Sequence, residues 1–489
     1  MKNIISLLRC SLLFALMVFS FACKKLDEKP ISTVTPANFG NSVLQIEAAY
    51  AGSMNYLWNY WEGYGYAYGP FINDDQLNNG DLNIPSDNAD DLWNRHYMAL
   101  LNINNALGSI KKGNIKGETQ ETLDGLEAQG KFLRAHNYFM LVRMFGGVPL
   151  ITEDTPDPLK NPMARASVAD VYALIVSDLT FAAAHLPSSW DGAPGKPTSG
   201  AAKGILAKAY LAMATYPLND PANYQKAADM ALEVMNSGVY HLVDSVSQVF
   251  SLANKYGPEM MWSYISTYDD VATDPQIWTA EEYFEAWGDA AVDTAFEHRW
   301  PDQKRKQAYL FTDWVDADGH PIHYTDFSYQ TPFCKKFFYY ISEDDFQGMS
   351  SIVNYPIIRY ADVLLIYAEA ANMAGGGATA PQNAVDAINK IINRANGFTP
   401  NSGHPLLTTA MSRTAFDAAV IQERSWELMF ENCDRWFDIC RKRILNDPNV
   451  TVRASDRANF TEDDYLFPIP ETDLRLNKLL VQNPGYPTP

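Results

Sequence analysis

Apolar residues recur at helical spacing through most of the chain. The spacing predicts a helix over 128–144, which ends at Gly146-Gly147, and another over 168–186, which ends before Pro187. Two further stretches predict helix-turn-helix pairs, which are 201–216 with 224–235, and 360–373 with 382–394. The pattern therefore predicts a mostly α protein.

Each predicted pair places alanines where its two helices would cross closely: Ala207 with Ala231, and Ala368 with Ala387. Small residues at a crossing let helices pack closely, so these pairs are weakly similar to tetratricopeptide repeats. The repeat period is irregular. The pattern alone supports a helical fold with repeat-like pairs.

The stretch 240–355 has poor helical periodicity and contains five of the eleven tryptophans. Within it, 311–315 and 320–324 flank the turn sequence Asp316-Ala317-Asp318-Gly319, which predicts a β-hairpin. We interpret 240–355 as an inserted subdomain of mixed structure.

The N-terminus is typical of a targeting segment. Lys2 and Arg9 precede an apolar run over 11–21, and Ala22 then precedes Cys23. This arrangement resembles a bacterial lipobox, so we expect residues 1–22 to be a signal peptide and Cys23 to be lipidated; a plain secretory signal with an incidental cysteine is the alternative.

Loss of 1–22 would change the net charge from −20 to −22, which disfavours nucleic acid as a partner. No later stretch offers 18 uncharged apolar residues in a row, so we expect no membrane span in the mature chain.

Charged residues concentrate in the segment that runs from Glu423 and Arg424 through Glu427, Glu431 and Arg435 to Asp438 and Arg441. On a helix, Arg424 would meet Glu427, and Arg435 would meet both Glu431 and Asp438. Every acid would then have an arginine nearby, which keeps it ionised. A glycosidase would instead require one carboxyl group with a raised pKa. We interpret the segment as structural.

Metal and cofactor sites find little support. Asp316 and Asp318 resemble part of a calcium loop, but Trp314 and Thr325 stand where that loop needs acids, so a plain hairpin is favoured. Cys334, Cys433 and Cys440 show no zinc-binding spacing, and we expect them to be core residues. No nucleotide-binding or catalytic motif occurs, so we expect no cofactor.

Aromatic residues among glycines and amides supply the candidate binding site. Tyr64, Tyr66 and Tyr68 would share one face of an extended segment, and aromatic faces can stack on sugar rings while amides bind the hydroxyl groups. The alternative is that these rings belong to the core, which spacing favours for Trp58 and Trp61; Trp93 could equally pack or bind. The candidate glycan-binding residues are Tyr64, Tyr66, Tyr68, Asp75, Asn78, Trp93, Asn94, Trp278, Tyr283, Trp287 and Trp300.

Five ordered blocks resemble the SusD/RagB family of Bacteroidetes surface lipoproteins. They are Leu26-Asp27-Glu28-Lys29-Pro30; the run from Phe132 to Leu150; the run from Tyr355 to Ala370; Glu423 to Asp438; and Phe467-Pro468-Ile469-Pro470 with Gln482-Asn483-Pro484-Gly485-Tyr486. The insert 240–355 resembles the family least.

The resemblance implies tetratricopeptide-like helical pairs over 23–239 and 356–489, on either side of the insert. It also implies a lipid anchor in the outer membrane and a SusC-like TonB-dependent transporter as partner, to which the protein delivers oligosaccharides without catalysing a reaction. A peptide-capturing subunit of the same kind of complex is an alternative. A surface glycosidase is a weaker one.

Overall fold

The computed structural model describes residues 40–58, 86–156, 160–266, 291–315, 319–326, 330–338, 352–448, 450 and 461–488. Helices dominate these ranges, and the predicted mostly α fold is confirmed. The helices are α1 Val43–Trp58, α2 Ser86–Lys111, α3 Gln120–Phe145, α4 Val168–His185, α5 Ser199–Met213, α6 Ala222–Asn236, α7 Thr294–Arg299, α8 Lys304–Tyr309, α9 Tyr360–Ala374, α10 Gln382–Ala395, α11 Arg413–Glu427, α12 Asp434–Lys442 and α13 Glu471–Leu476.

Side-chain caps and glycine set the bounds of the long helices. Thr119, Ser167 and Thr198 precede α3, α4 and α5, and each side chain accepts a hydrogen bond from a backbone N–H in the first turn. Gly146 ends α3 with φ 74°, a backbone conformation that glycine adopts without steric cost. The six long helices predicted from spacing are all present, with ends within about a turn of the prediction except for α3, which begins eight residues earlier.

Consecutive helices pack as neighbours from α1 to α6, and α6 then packs against α9, which contacts α10 and α11. The four alanines predicted at helix crossings, Ala207, Ala231, Ala368 and Ala387, are all buried. Stacked helical pairs of this kind bury one continuous apolar core.

Six short strands form three two-stranded antiparallel sheets within the described residues. The pairs are β1 Met260–Tyr264 with β6 Tyr355–Arg359, β2 Leu310–Phe311 with β5 Phe333–Cys334, and β3 Asp313–Val315 with β4 Pro321–His323. The third pair confirms the predicted hairpin. The first pair places residues 260–264 of the predicted insert, and its C-terminal end, beside the start of α9; the domain boundaries stay predictions.

By length and composition, α4 is the one described helix that could cross a membrane. It packs between α3 and α5. Its Asp178 side chain is buried and receives two hydrogen bonds from Arg134, at 2.7 and 2.9 Å. These contacts make α4 a layer of the helical stack.

The charged C-terminal segment is two helices rather than one. The chain leaves α11 at Glu427 and reverses through Phe430, Asn432 and Cys433, which have φ of 59°, 48° and 54°, before α12 begins. The predicted Arg424–Glu427 pair is wrong although both residues lie on α11, because Arg424 reaches instead to Asp362 and Asp438, at 2.8 and 2.6 Å.

The buried charges form what we call the central ionic cluster. Glu427 lies at its middle and contacts three arginines, Arg305 at 3.0 Å, Arg359 at 3.2 Å and Arg394 at 2.8 Å. Its other members are Glu259, Lys336, Glu423 and Glu431. Burial alone would raise the pKa of Glu427, but Arg394, Arg359 and Arg305 outweigh burial and hold this pKa far below its usual range. The predicted structural role of this segment agrees with these contacts, and the central ionic cluster ties α8, α10 and α11 to β1 and β6.

Candidate ligand-binding cleft

An open cleft of about 600 Å³ lies between α1, α3, the loop before α5, and β1. On α1, Glu47, Tyr50, Ala51, Met54 and Asn55 line it, at spacings of three and four residues that place them on one helix face. The remaining walls are Gln129 and Leu133 of α3, residues 193 and 195–197, and Trp262 to Ile265 of β1.

Aromatic rings form the floor of the cleft. Trp262 packs edge-to-face on Phe132 and on His136, with ring centroids 4.7 and 5.0 Å apart. Tyr264 shares a strand face with Trp262, as residues two apart do, and its hydroxyl lies 3.2 Å from Nε2 of His136. Burial lowers the pKa of His136 well below its ordinary value, so the imidazole is neutral and the floor carries no charge.

The Tyr50 side chain fixes the α1 wall against α3. A Cβ atom at Gly130 would lie 2.2 Å from the Tyr50 hydroxyl oxygen, so glycine at 130 leaves the room that this side chain occupies. The Tyr50 hydroxyl donates to the carbonyl oxygen of Leu126 at 3.0 Å. The cleft wall is thus held by packing and by a hydrogen bond.

The rim carries one ion pair. Lys196 bonds to Glu47, and its ammonium group lies 4.9 Å from the centre of the Trp190 ring. Glu47 is the one carboxylate among the described residues that line the cleft, and Lys196 neutralises it. The described lining therefore provides neither a net charge nor the pair of facing carboxylates that glycoside hydrolysis uses.

The part of the chain that the structure describes contains no cluster of metal-ligating side chains. No group of three or more His, Cys, Asp or Glu side chains there could hold a metal ion. Cys334, Cys433 and Cys440 form no disulfide within the same ranges, and Cys334 is buried as expected.

The cleft lies where two aromatic-rich segments join the described structure. Asn55 lines it three residues before α1 ends and 59–85 begins, and Ile265 lines it two residues before 267–290 begins. These two segments contain most of the predicted glycan-binding residues. Cys23, Tyr64, Tyr66, Tyr68, Asp75, Asn78, Trp278, Tyr283 and Trp287 lie outside the described residues.

Three predicted site residues are described, and none lines the cleft. Trp93 is 2% exposed, packs against Tyr97 and Phe145 with centroids 4.9 and 5.1 Å away, and hydrogen-bonds to Asp473. Asn94, beside it on α2, is exposed to solvent.

Trp300 is also 2% exposed and stacks on Trp426 at 6.4 Å with an interplanar angle of 12°. The glycan-platform hypothesis for Trp93 and Trp300 is corrected, because both rings are covered by neighbouring side chains and present no free face. For Trp93 this is the packing role that the sequence left open.

The sequence interpretation missed the cleft residues Tyr50, Gln129, Lys196 and Trp262. The alternation of Trp262 and Tyr264 in a short apolar stretch was a usable signal for a strand with one aromatic face. Nothing local marks Tyr50 or Gln129, because their role depends on how α1 crosses α3.

Comparison with known proteins agrees with this architecture. A family model described as "Starch-binding associating with outer membrane" matches residues 37–211, and the SusD family model matches 267–486. The chain belongs to the SusD family. The resemblance seen in the sequence is thereby confirmed.

Individual SusD-like relatives match along nearly their whole length. The SusD-like protein P2 of Formosa agariphila is 25% identical, with 96% of this chain and 98% of that protein covered. A SusD superfamily crystal structure from Parabacteroides distasonis has a TM-score of 0.76 at 24% identity and covers 91% of this chain and 98% of its own. A structure titled as a laminarin-binding SusD-like protein has a TM-score of 0.70 at 21% identity, with 90% and 98% covered. At these identities the structural matches show a shared fold.

Proposed function

We propose that this protein is a cell-surface lipoprotein that binds nutrient oligosaccharides and passes them to a SusC-like TonB-dependent transporter in the outer membrane. The observation that carries the proposal is the position of the cleft, an open groove with an uncharged aromatic floor beside the segments that contain Tyr64–Tyr68 and Trp278–Trp287. Membership of the SusD family and the starch-binding description of one matching model support it.

The chemistry of the cleft suits a neutral glycan. A sugar ring offers C–H faces for aromatic contact and hydroxyl groups for hydrogen bonding. The exposed amide of Asn55 can bind hydroxyl groups, whereas Trp262 is 4% exposed and forms the base of the cleft rather than a free stacking face. We assign the stacking contacts to the tyrosines and tryptophans of the two adjoining segments. Because Lys196 is already paired with Glu47, no unpaired charge among the described lining residues selects an anionic sugar. One structural relative is named as a laminarin-binding SusD-like protein, so laminarin is the first ligand to test.

The direct test is a binding screen. The chain lacking residues 1–23 is run through affinity gels containing neutral polysaccharides, laminarin and starch among them, and the best binder is titrated by calorimetry. We expect at least one neutral glycan to retard the protein, with an affinity that changes little between low and high salt, since charge does not make the contact. Binding to peptides alone, with no glycan bound, would contradict the proposal.

The segments themselves are tested by substitution. Replacing Tyr64, Tyr66 and Tyr68 together by alanine should reduce glycan affinity by about ten-fold or more, because stacked aromatic contacts each contribute about 1 kcal/mol. The matched control is Trp58→Ala with Trp61→Ala, which the spacing places in the core; these changes should lower stability more than affinity.

The peptide alternative predicts a different result from one further variant. Replacing Trp278 and Trp287 by alanine should leave peptide binding intact, since peptide capture depends more on backbone hydrogen bonds than on flat stacking.

A glycosidase would release new reducing ends from the polysaccharides of the screen, and we expect none. Mass spectrometry of the mature N-terminus tests lipidation of Cys23, and co-purification from the native outer membrane tests the transporter partner.

A further inference from the structure

A second cavity, of about 190 Å³, lies at the other end of α3, between α3, α5 and α12. Its apolar walls include Val142, Leu211 and Phe437. Arg143 of this cavity and Leu133 of the cleft are ten residues apart on α3, or about 15 Å along the helix axis. The two spaces are therefore separate sites. We call the second one the basic cavity.

The basic cavity is named for its charge. Six cationic side chains and two carboxylates line it: Arg143, Arg165, Lys208, Arg424, Arg441 and Arg443, with Asp434 and Asp438. This excess of cations occurs in a chain whose formal net charge is −20.

Two of its arginines are each held between two aromatic rings. The Arg143 guanidinium lies 3.8 Å from the centre of Phe139 and 3.7 Å from the centre of Phe437. Nearer the mouth, Arg443 lies between Tyr216 and Tyr465, at 4.1 and 3.5 Å. A stacked guanidinium has its faces covered, but its N–H groups stay available in the plane, where a carboxylate can accept two hydrogen bonds.

Two of the cations have no carboxylate partner among the described residues. Arg143 donates to the carbonyl oxygen of Phe139 and to the sulfur of Met140, and its Nη1 atom donates to no described residue. Arg165 donates only to neutral oxygens, those of residues 145, 147, 481 and 483. Lys208, Arg424, Arg441 and Arg443 in contrast each contact carboxylates.

A structural role explains part of this arrangement. The bonds from Arg143 and Arg165 to backbone carbonyls satisfy acceptors at the C-terminal end of α3, where cations are favourable. These bonds do not explain a cavity with apolar walls beside the free edge of a stacked arginine. Burial lowers the pKa of both arginines, because no nearby anion fully offsets their desolvation.

We propose that the basic cavity binds a small organic carboxylate with an apolar body, its carboxylate accepting hydrogen bonds from Arg143 and its apolar part resting against Val142, Leu211 and Phe437. Mostly apolar walls with a few convergent polar groups are typical of small-molecule sites. This site is separate from the candidate ligand-binding cleft, and the inference does not rest on the proposed function.

Benzoate is the test probe, and benzamide, which has the same shape without the charge, is its matched control. Both are titrated by calorimetry into the full chain in a non-ionic detergent, so that no detergent anion competes. We expect benzoate to bind about ten-fold or more tightly than benzamide and than acetate, which lacks an apolar body. Equal affinities for benzoate and benzamide, or no benzoate binding up to about 10 mM, would overturn the proposal.

Variants locate the site. Arg143→Lys keeps the charge but loses the planar fork, and it should weaken benzoate binding by about ten-fold. Arg443→Gln, at the more exposed mouth, should also weaken it, and this variant decides the matter if Arg143→Lys does not fold. Lys196→Gln, in the glycan cleft, is the control and should bind benzoate as the wild type does. Unchanged benzoate affinity in a folded Arg143→Lys or Arg443→Gln protein would contradict the assignment.

Discussion

The central ionic cluster and the candidate ligand-binding cleft are built from opposite kinds of side chain, charged in the cluster and uncharged in the cleft. In the cluster, Glu427 is fully buried and surrounded by arginines from three separate elements. In the cleft, the floor is aromatic and neutral, and the single ion pair, Lys196 with Glu47, lies at the partly exposed rim. Dense charge thus marks the part of this molecule that holds it together, whereas the uncharged groove is the part suited to a ligand.

The largest expected effect comes from breaking the cluster at its centre. Glu427→Gln removes the charge that offsets Arg305, Arg359 and Arg394, and leaving buried cations uncompensated should lower the free energy of unfolding by about 3–5 kcal/mol. Urea denaturation followed by circular dichroism measures it. The control is Glu471→Gln, whose partner Arg475 is also exposed, and which should behave as the wild type. A Glu427→Gln protein of wild-type stability would show that the cluster is not a stabilising element.

A smaller effect concerns pH and Asp434, at the edge of α12. Burial raises the pKa of this carboxyl to about 6, although Lys208, Arg424 and Arg143 act against burial and Asp362 adds to it. Because the folded-state pKa lies above the unfolded value of about 4, Asp434 contributes stability at low pH that is lost as the pH rises through about 6. Asp434→Asn removes this loss, so its stability relative to wild type should increase between pH 4 and pH 7, by up to about 3 kcal/mol.

Asp362→Asn is the contrasting variant, measured by denaturation at several pH values. Lys208 and Arg424 outweigh burial and lower the pKa of Asp362, so its contribution is present at neutral pH and is lost only in acid. This variant should therefore be destabilised at pH 7, with a deficit that shrinks as the pH falls. The same pH profile for both variants would contradict the assignment of opposite shifts.

The smallest expected effect is on glycan affinity, and it tests whether the ligand enters the described cleft. Ala51 is exposed and lines the groove on α1, so Ala51→Trp should fill the groove and weaken glycan binding by about ten-fold, with little change in stability. Ala48 is also exposed on α1 but does not line the groove, so Ala48→Trp is the matched control. Calorimetry with the glycan identified by the screen compares them. Equal affinities would show that the ligand does not enter the described cleft.

The sequence predicted the helical layers well because their signals are local. Apolar spacing, with the stops at Gly146-Gly147 and Pro187, identified α3, α4 and α9, and the Asp-Gly turn identified the β3–β4 hairpin. The partners of the charged segment were not predictable. Arg424 and Glu427 share α11, yet Arg424 bonds to Asp362, 62 residues earlier in the chain, and Glu427 bonds to arginines of other elements. Spacing on one helix cannot reveal a contact between three.

The sequence predicted the chemical character of the candidate site, but only part of its location. A search for tryptophans near polar residues selected Trp93 and Trp300, which the fold uses for packing. Composition cannot distinguish a ring that fills the core from a ring that faces a groove, because both are large and apolar. The position of Trp262 on the cleft floor depends on the pairing of β1 with β6, a contact between residues almost a hundred positions apart.

The way the segments 59–85 and 267–290 join the molecule has a consequence for how its recognition can be changed. Each begins next to the cleft and returns to a packed element, α2 for the first and the Ala291–Phe333 bridge for the second. None of the charged residues around Glu427 belongs to either segment. Segments with other aromatic and amide side chains could therefore be exchanged at these two positions, with the helices that carry the central ionic cluster left unchanged.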